Sequence, residues 1–179
     1  MSTVSPTSGA VPKPHTAPWG MLLAFTLLAA LPRLAALRFN IWPHGDVVLD
    51  MAIAESLAST GRLLVPIVDV RYYPTSAFGF GYPPDQHPPL WPLLGASLTW
   101  LLGDGYLSLK VWSFIAGVLV IPLAFLGFRR ALGGAGALWL SGLVAGTYLL
   151  IDFSANGSLW ILITALYLLF IWRLSDASL

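Results

Sequence analysis

Cysteine is missing from all 179 residues, which excludes disulfides, thiolate metal sites and cysteine nucleophiles and leaves cysteine usage silent on redox compartment. Charge is scarce as well. Only 9% of residues are Asp, Glu, Lys or Arg, against about 25% in ordinary soluble domains, so the polar surface could not coat a water-soluble globule. The formal net charge of +1 gives no support for a nucleic-acid partner. Nor does the chain hold a Gly-rich phosphate loop, a nucleophile elbow or a His-x-x-x-His pattern. What it has in abundance is apolar surface: 57% of residues are hydrophobic and the mean hydropathy is +0.78. The solvent implied is lipid. Backbone groups in hydrocarbon must be satisfied internally, and the expected fold class is an all-α integral membrane protein.

Along the chain, residues 1–18 are rich in Ser, Thr, Pro and Ala and read as a disordered cytoplasmic tail carrying one basic residue, Lys13. Residues 19–38 are apolar and long enough to span a hydrocarbon core of about 30 Å. A cleaved signal peptide is the rival reading, but the run is long, its basic flank is thin, and Pro32 and Arg33 interrupt the exit. Residues 39–105 form a polar extracytoplasmic loop with two surface helices predicted at 46–60 and 88–102. In the first, Val48, Leu49, Ala52, Ile53 and Ser56 make a stripe suited to the membrane surface, and Gly61 closes the helix. Further spans are predicted at 106–128, 135–151 and 159–173, making about four transmembrane helices in all. Arg129, Arg130 and Arg173 flank one side, which is that of the N-terminus only if the 88–102 helix does not cross; both chain ends then lie in the cytoplasm.

Ionisable residues near membrane depth are costly and usually face a cavity or a partner. Asp46 and Asp50 lie four apart and so share one helix face, where like charges repel unless a cation, a proton or a substrate intervenes. The bland alternatives are a helix N-cap for Asp46 and a solvated polar face for Asp50. His87, before Pro88-Pro89-Leu90, is either a rigid corner entering a helix or a side chain aimed at the loop cavity. Asp152, at the second outer turn, is either solvated or part of the same site. Residue patterns alone reach a polytopic membrane protein with an acidic outer loop and go no further.

The order of these features resembles the GT-C superfamily of polytopic glycosyltransferases, and most closely its protein O-mannosyltransferase and lipid A aminoarabinose transferase branch. The matching features run from residue 32 to 173: Pro32-Arg33-Leu34 ending the first span, Asp46 with Asp50, Ala54, Leu57 and Gly61 in the helix after it, His87-Pro88-Pro89-Leu90, the Arg129-Arg130 turn, and the polar cluster Asp152 to Ser158. The sequence departs from the pattern where Val47 stands for the usual Glu, Asp50 for the usual Tyr, and Asn156, Gly157 and Ser158 for an Arg and a later Asp. Such enzymes carry more spans, so this chain reads as the N-terminal portion of one.

The resemblance implies sugar transfer from a polyprenyl-phosphate-linked donor to a hydroxyl of a protein, lipid or glycan acceptor outside a cell (plasma) membrane, with inversion at the anomeric carbon. It implies Asp46 as the base that takes the hydroxyl proton. Arg33, Asp50, His87 and Asp152 become expected substrate contacts. A divalent metal is compatible with Asp46 and Asp152, two scattered carboxylates. The competing reading is a non-enzymatic accessory subunit, or a lipid-binding or transporter-like bundle, which requires ionisable residues buried within spans.

Overall fold

The computed structural model describes residues 18–40, 43, 45–63 and 89–177. Among them every regular element is helical: α1 (Trp19–Phe39), α2 (Asp46–Thr60), α3 (Leu90–Leu102), α4 (Gly105–Gly146), α5 (Tyr148–Phe153) and α6 (Leu159–Ala177). The predicted tail up to residue 17 and the stretch 64–88 of the polar loop, with Asp69, Arg71, Asp85 and His87, lie outside the described residues.

Three helices, α1, α4 and α6, are long and apolar enough to cross a membrane. Their surfaces agree with that solvent. On α1, Leu23, Leu27 and Leu31 are each about three-fifths exposed and follow one another at four-residue spacing, while Leu22, Ala29 and Arg33 are buried behind them. On α6, Trp160, Tyr167, Phe170 and Leu174 stand out in the same way. An apolar face this continuous is not stable against water, and its natural solvent is acyl chain.

Helix α4 has 42 residues, about 63 Å if straight and roughly twice the hydrocarbon thickness. It does not run straight. Gly133 takes φ 69° and ψ 170°, a backbone state that side chains with a Cβ resist, and the helix breaks there. Its limbs fold back on one another: Phe125 packs on Ala137 and Leu138, and Val144 reaches the Ala116–Val120 face. The first limb continues through Arg129 and Arg130, beyond the end predicted at Phe128. The second limb, from Gly134, is about 20 Å long and is extended by α5.

The hairpin organises everything else. The first limb of α4 is the most enclosed element, with α1 and α6 along its length. Gly117 sets the approach at one crossing, since a Cβ there would fall 1.9 Å from Ser154 Oγ. Helices α2 and α3 pack together over the start of α4, around fully buried Trp91 and Leu109 with Val47 and Tyr106. Two acids hold that start: Asp104 Oδ1 accepts Leu107 N–H at 2.7 Å, and Glu55 Oε1 accepts Gly105 N–H at 3.2 Å. Carboxylates there neutralise the positive end of the helix dipole.

The bundle therefore has two chemically different ends. One joins the C-terminal end of α1 to α2, α3, the start of α4 and the Asp152–Ser158 turn. The other joins the start of α1, the Gly133 break and the end of α6, where Arg129 lies over the Trp19 ring and both Arg129 and Arg130 pair with Asp176.

Candidate functional site

The first end gathers most of the residues singled out from the sequence. Arg33 sits on the inward face of α1 because the outward face is given to lipid-facing leucines, and it is fully buried. Its Nη1 donates to Ala29 O at 2.9 Å and Ala145 O at 3.1 Å, and its Nε donates to Ser154 Oγ at 3.3 Å. Its Nη2 is buried and has no hydrogen-bond partner among the described residues. A guanidinium has five N–H donors in a rigid fork, and the protein around Arg33 satisfies only part of that fork.

Asn40, immediately after α1, links the helix to the second turn. Its Nδ2 donates to Asp152 Oδ1 at 3.4 Å, and the other oxygen of Asp152 accepts from Asn156 Nδ2 at 3.2 Å. Asn156 Oδ1 in turn accepts the Ser158 N–H at 3.0 Å, an Asx turn that shapes the loop. From α4, Lys110 Nζ donates to Leu37 O at 2.5 Å and Asn40 O at 2.7 Å, and Tyr106 Oη donates to Asn40 O at 3.1 Å. The ammonium thus satisfies carbonyls at the end of α1 and meets the negative end of its dipole.

Helix α2 borders this network. Val47 touches the turn at Gly157, where an added Cβ would lie 3.0 Å from Val47 Cγ1. From α3, Trp91 Nε1 donates to Gly157 O at 3.0 Å. Asp46 is the first residue of α2, with Gly45 as the N-cap at φ 49°, so the N-cap reading of Asp46 does not hold. Asp46 is exposed, whereas Asp50 is only 1% exposed. The reading of Asp50 as a solvated face is therefore also corrected. The packed face of α2 is Val47, Asp50, Ile53 and Ala54, which shares only Ile53 with the predicted stripe and leaves Val48 exposed.

Arg33 and Asp152 are thus joined through one turn, Asp46 and Asp50 stand on the helix beside that turn, and His87 lies outside the described residues. Among the described residues no three His, Cys, Asp or Glu side chains come together as ligands for a metal ion. Asn40 and Tyr106 belong to none of the sequence motifs, and Ser154 enters only as a member of the Asp152 to Ser158 cluster. The available signal for Asn40 was its place as the first polar side chain after an apolar span. Chemically, this end combines cationic donors with carboxylates of unequal exposure. That combination can hold an anionic group and accept a proton from a neighbouring hydroxyl. Comparison with protein-family models, with curated proteins and with solved structures finds no match to this chain.

Proposed function

We propose that the chain forms part of a membrane glycosyltransferase that moves a sugar from a polyprenyl-phosphate donor to an acceptor hydroxyl on the extracytoplasmic side. Four spans, with the second limb of α4 and α5 together making the third, would put the Arg33 end outside and the Arg129–Arg130 end in the cytoplasm. The observation that carries the reading is the gathering of Arg33, Asp46, Asp50 and Asp152 at one end of the bundle, away from the arginine pair. It is supported by the resemblance in motif order from residue 32 to 173.

In this reading the acceptor oxygen attacks the anomeric carbon, the bond from that carbon to the phosphate oxygen breaks, and its electron pair leaves with the phosphate. The acceptor proton passes to Asp46, which is exposed at the start of α2. Phosphate is a good leaving group already and needs charge neutralisation more than a proton, a task for cationic donors such as Arg33. The isoprenoid tail explains why the site lies beside apolar helices.

The test is Asp46→Asn in the whole reading frame, assayed for sugar transfer in membranes. The expected loss is about 100-fold or more in turnover. Undiminished transfer at normal expression would rule out the base. Because the chain has no cysteine, a single Val48→Cys on the exposed face of α2 reports the side directly. Labelling only from the cytosol ends the topology.

A second reading, a non-enzymatic bundle, draws on one observation: Arg33 and Lys110 are both buried within membrane-length helices. Their bonds to Ala29, Ala145, Leu37 and Asn40 carbonyls fit cations that fasten helices. Membranes in which the wild-type protein adds no sugar transfer, although the bundle folds and is expressed, would favour it.

A further inference from the structure

The opposite end of the bundle holds a cavity that the proposed chemistry does not use. It measures about 840 Å³ and opens between the start of α1 and the Gly133 hairpin, with Arg129 and Arg130 at its rim and Met21, Phe25, Leu138 and Trp139 along its apolar wall. Gly134 and Ala135, the first residues of the second limb, also line it, which places the positive end of that limb's dipole at the wall.

Charge and aromatics agree with a headgroup-level position. Asp176 lies 2.9 Å from Arg130 and 3.9 Å from Arg129, so one carboxylate faces two guanidiniums and leaves a positive remainder. Both arginines are about one-third exposed. Trp19, over which Arg129 lies, is half exposed, and Trp139 is three-quarters exposed, as expected of rings at a bilayer boundary.

The geometry points to a binding site for an anionic phospholipid, its phosphate held by Arg129 and Arg130 and an acyl chain laid against Phe25, Leu138 and Trp139. A free phosphate would leave most of this wall, which is apolar, uncovered. A zwitterionic lipid brings the same phosphate, but its headgroup cation offsets part of what the unbalanced guanidinium gains. The site belongs to the bundle whatever reaction the other end performs.

The experiment uses the purified whole chain in nanodiscs of phosphatidylcholine with increasing phosphatidylglycerol, read by thermal unfolding and by native mass spectrometry of retained lipid. The wild type should rise in melting temperature with phosphatidylglycerol and retain it over phosphatidylcholine. In the Arg129→Gln/Arg130→Gln variant the half-saturating phosphatidylglycerol fraction should rise on the order of tenfold. Asp176→Asn, which removes the carboxylate facing both arginines and leaves Arg130 its bond to Ser175 O, should lower it, and this arm decides the matter if the double variant does not fold. Equal effects of both lipids, an equal effect of inorganic phosphate, or no response to either substitution overturns the site. So does an anionic-lipid effect that appears only after residues 2–17 are deleted, since the tail would then be the occupant.

Discussion

Arg33 on α1 and Ser154 beyond α5 are joined side chain to side chain at 3.3 Å, with both residues fully buried. The bond spans 121 positions of sequence, and it fixes the end of the first helix against the turn that carries Asp152. Ser154 also donates to Leu150 O and lies against Gly117. One small hydroxyl therefore sits where α1, α4 and α5 meet, and the position of Asp152 depends on it.

Replacing Arg33 by Leu should lower stability by about 3 kcal/mol, because Ser154 and the Ala145 carbonyl lose a charged donor. Arg33→Lys should recover only part of this, since an ammonium cannot reproduce the fork that reaches Ser154 and Ala145 together. Thermal unfolding in detergent measures both. Equal stability of Lys and wild type would show that the fork geometry is unimportant.

Gly117→Ala should destabilise by about 1–3 kcal/mol through overpacking, because the new methyl would fall 1.9 Å from Ser154 Oγ and 2.4 Å from its Cβ. Ser154→Ala does not relieve the second contact. Ser154→Gly does, at the cost of the Arg33 bond. A double-mutant cycle should therefore show a favourable coupling between Gly117→Ala and Ser154→Gly, and additive effects would contradict the close approach.

The broad fold is legible because lipid leaves its mark on composition. Long apolar runs broken by a few charges can only be helices that satisfy their own backbone, and α1, α4 and α6 follow from that. Which face each helix turns inward is far less legible. On α2 the sequence places Val48 and Leu49 on an apolar stripe, yet packing selects Val47, Asp50 and Ile53. The side that faces protein in a membrane need not be the more hydrophobic one, since lipid competes equally for apolar side chains. The candidate site was partly legible for the same reason. Charged side chains at membrane depth stand out, as Arg33 does. Asn40 and Ser154 are ordinary residues made important by neighbours more than 100 positions away.

Lys110 supplies a different kind of test. Its ammonium caps the carbonyls of Leu37 and Asn40 and lies 5.0 Å from the Tyr106 ring centre. Lys110→Met keeps the length and apolar stem but removes the donor, so the end of α1 should fray at a cost of about 1–3 kcal/mol. Hydrogen exchange at residues 38–40 should accelerate, while amides in the middle of α1, around Leu27, stay protected. Uniform acceleration along α1 would instead mean that Lys110 supports the whole helix.

Trp91 separates the contribution of one hydrogen bond from that of a large buried ring. Its indole is wholly buried between α2 and α4, and Nε1 donates to Gly157 O at 3.0 Å, tying α3 to the turn beside Asp152. Trp91→Phe keeps an aromatic body and loses the donor, leaving the Gly157 carbonyl short of a partner, so about 1–2 kcal/mol should go. Trp91→Ala removes the ring as well and should cost about 3–5 kcal/mol through the cavity it opens. If the proposed chemistry is correct, Trp91→Phe should reduce transfer by more than its loss of stability explains. The reason is that it loosens the turn holding Asp152 while α1, α4 and α6 stay packed. Transfer rates and melting temperatures measured on the same membrane preparations decide the point, and proportional losses in both would make Trp91 a packing residue only.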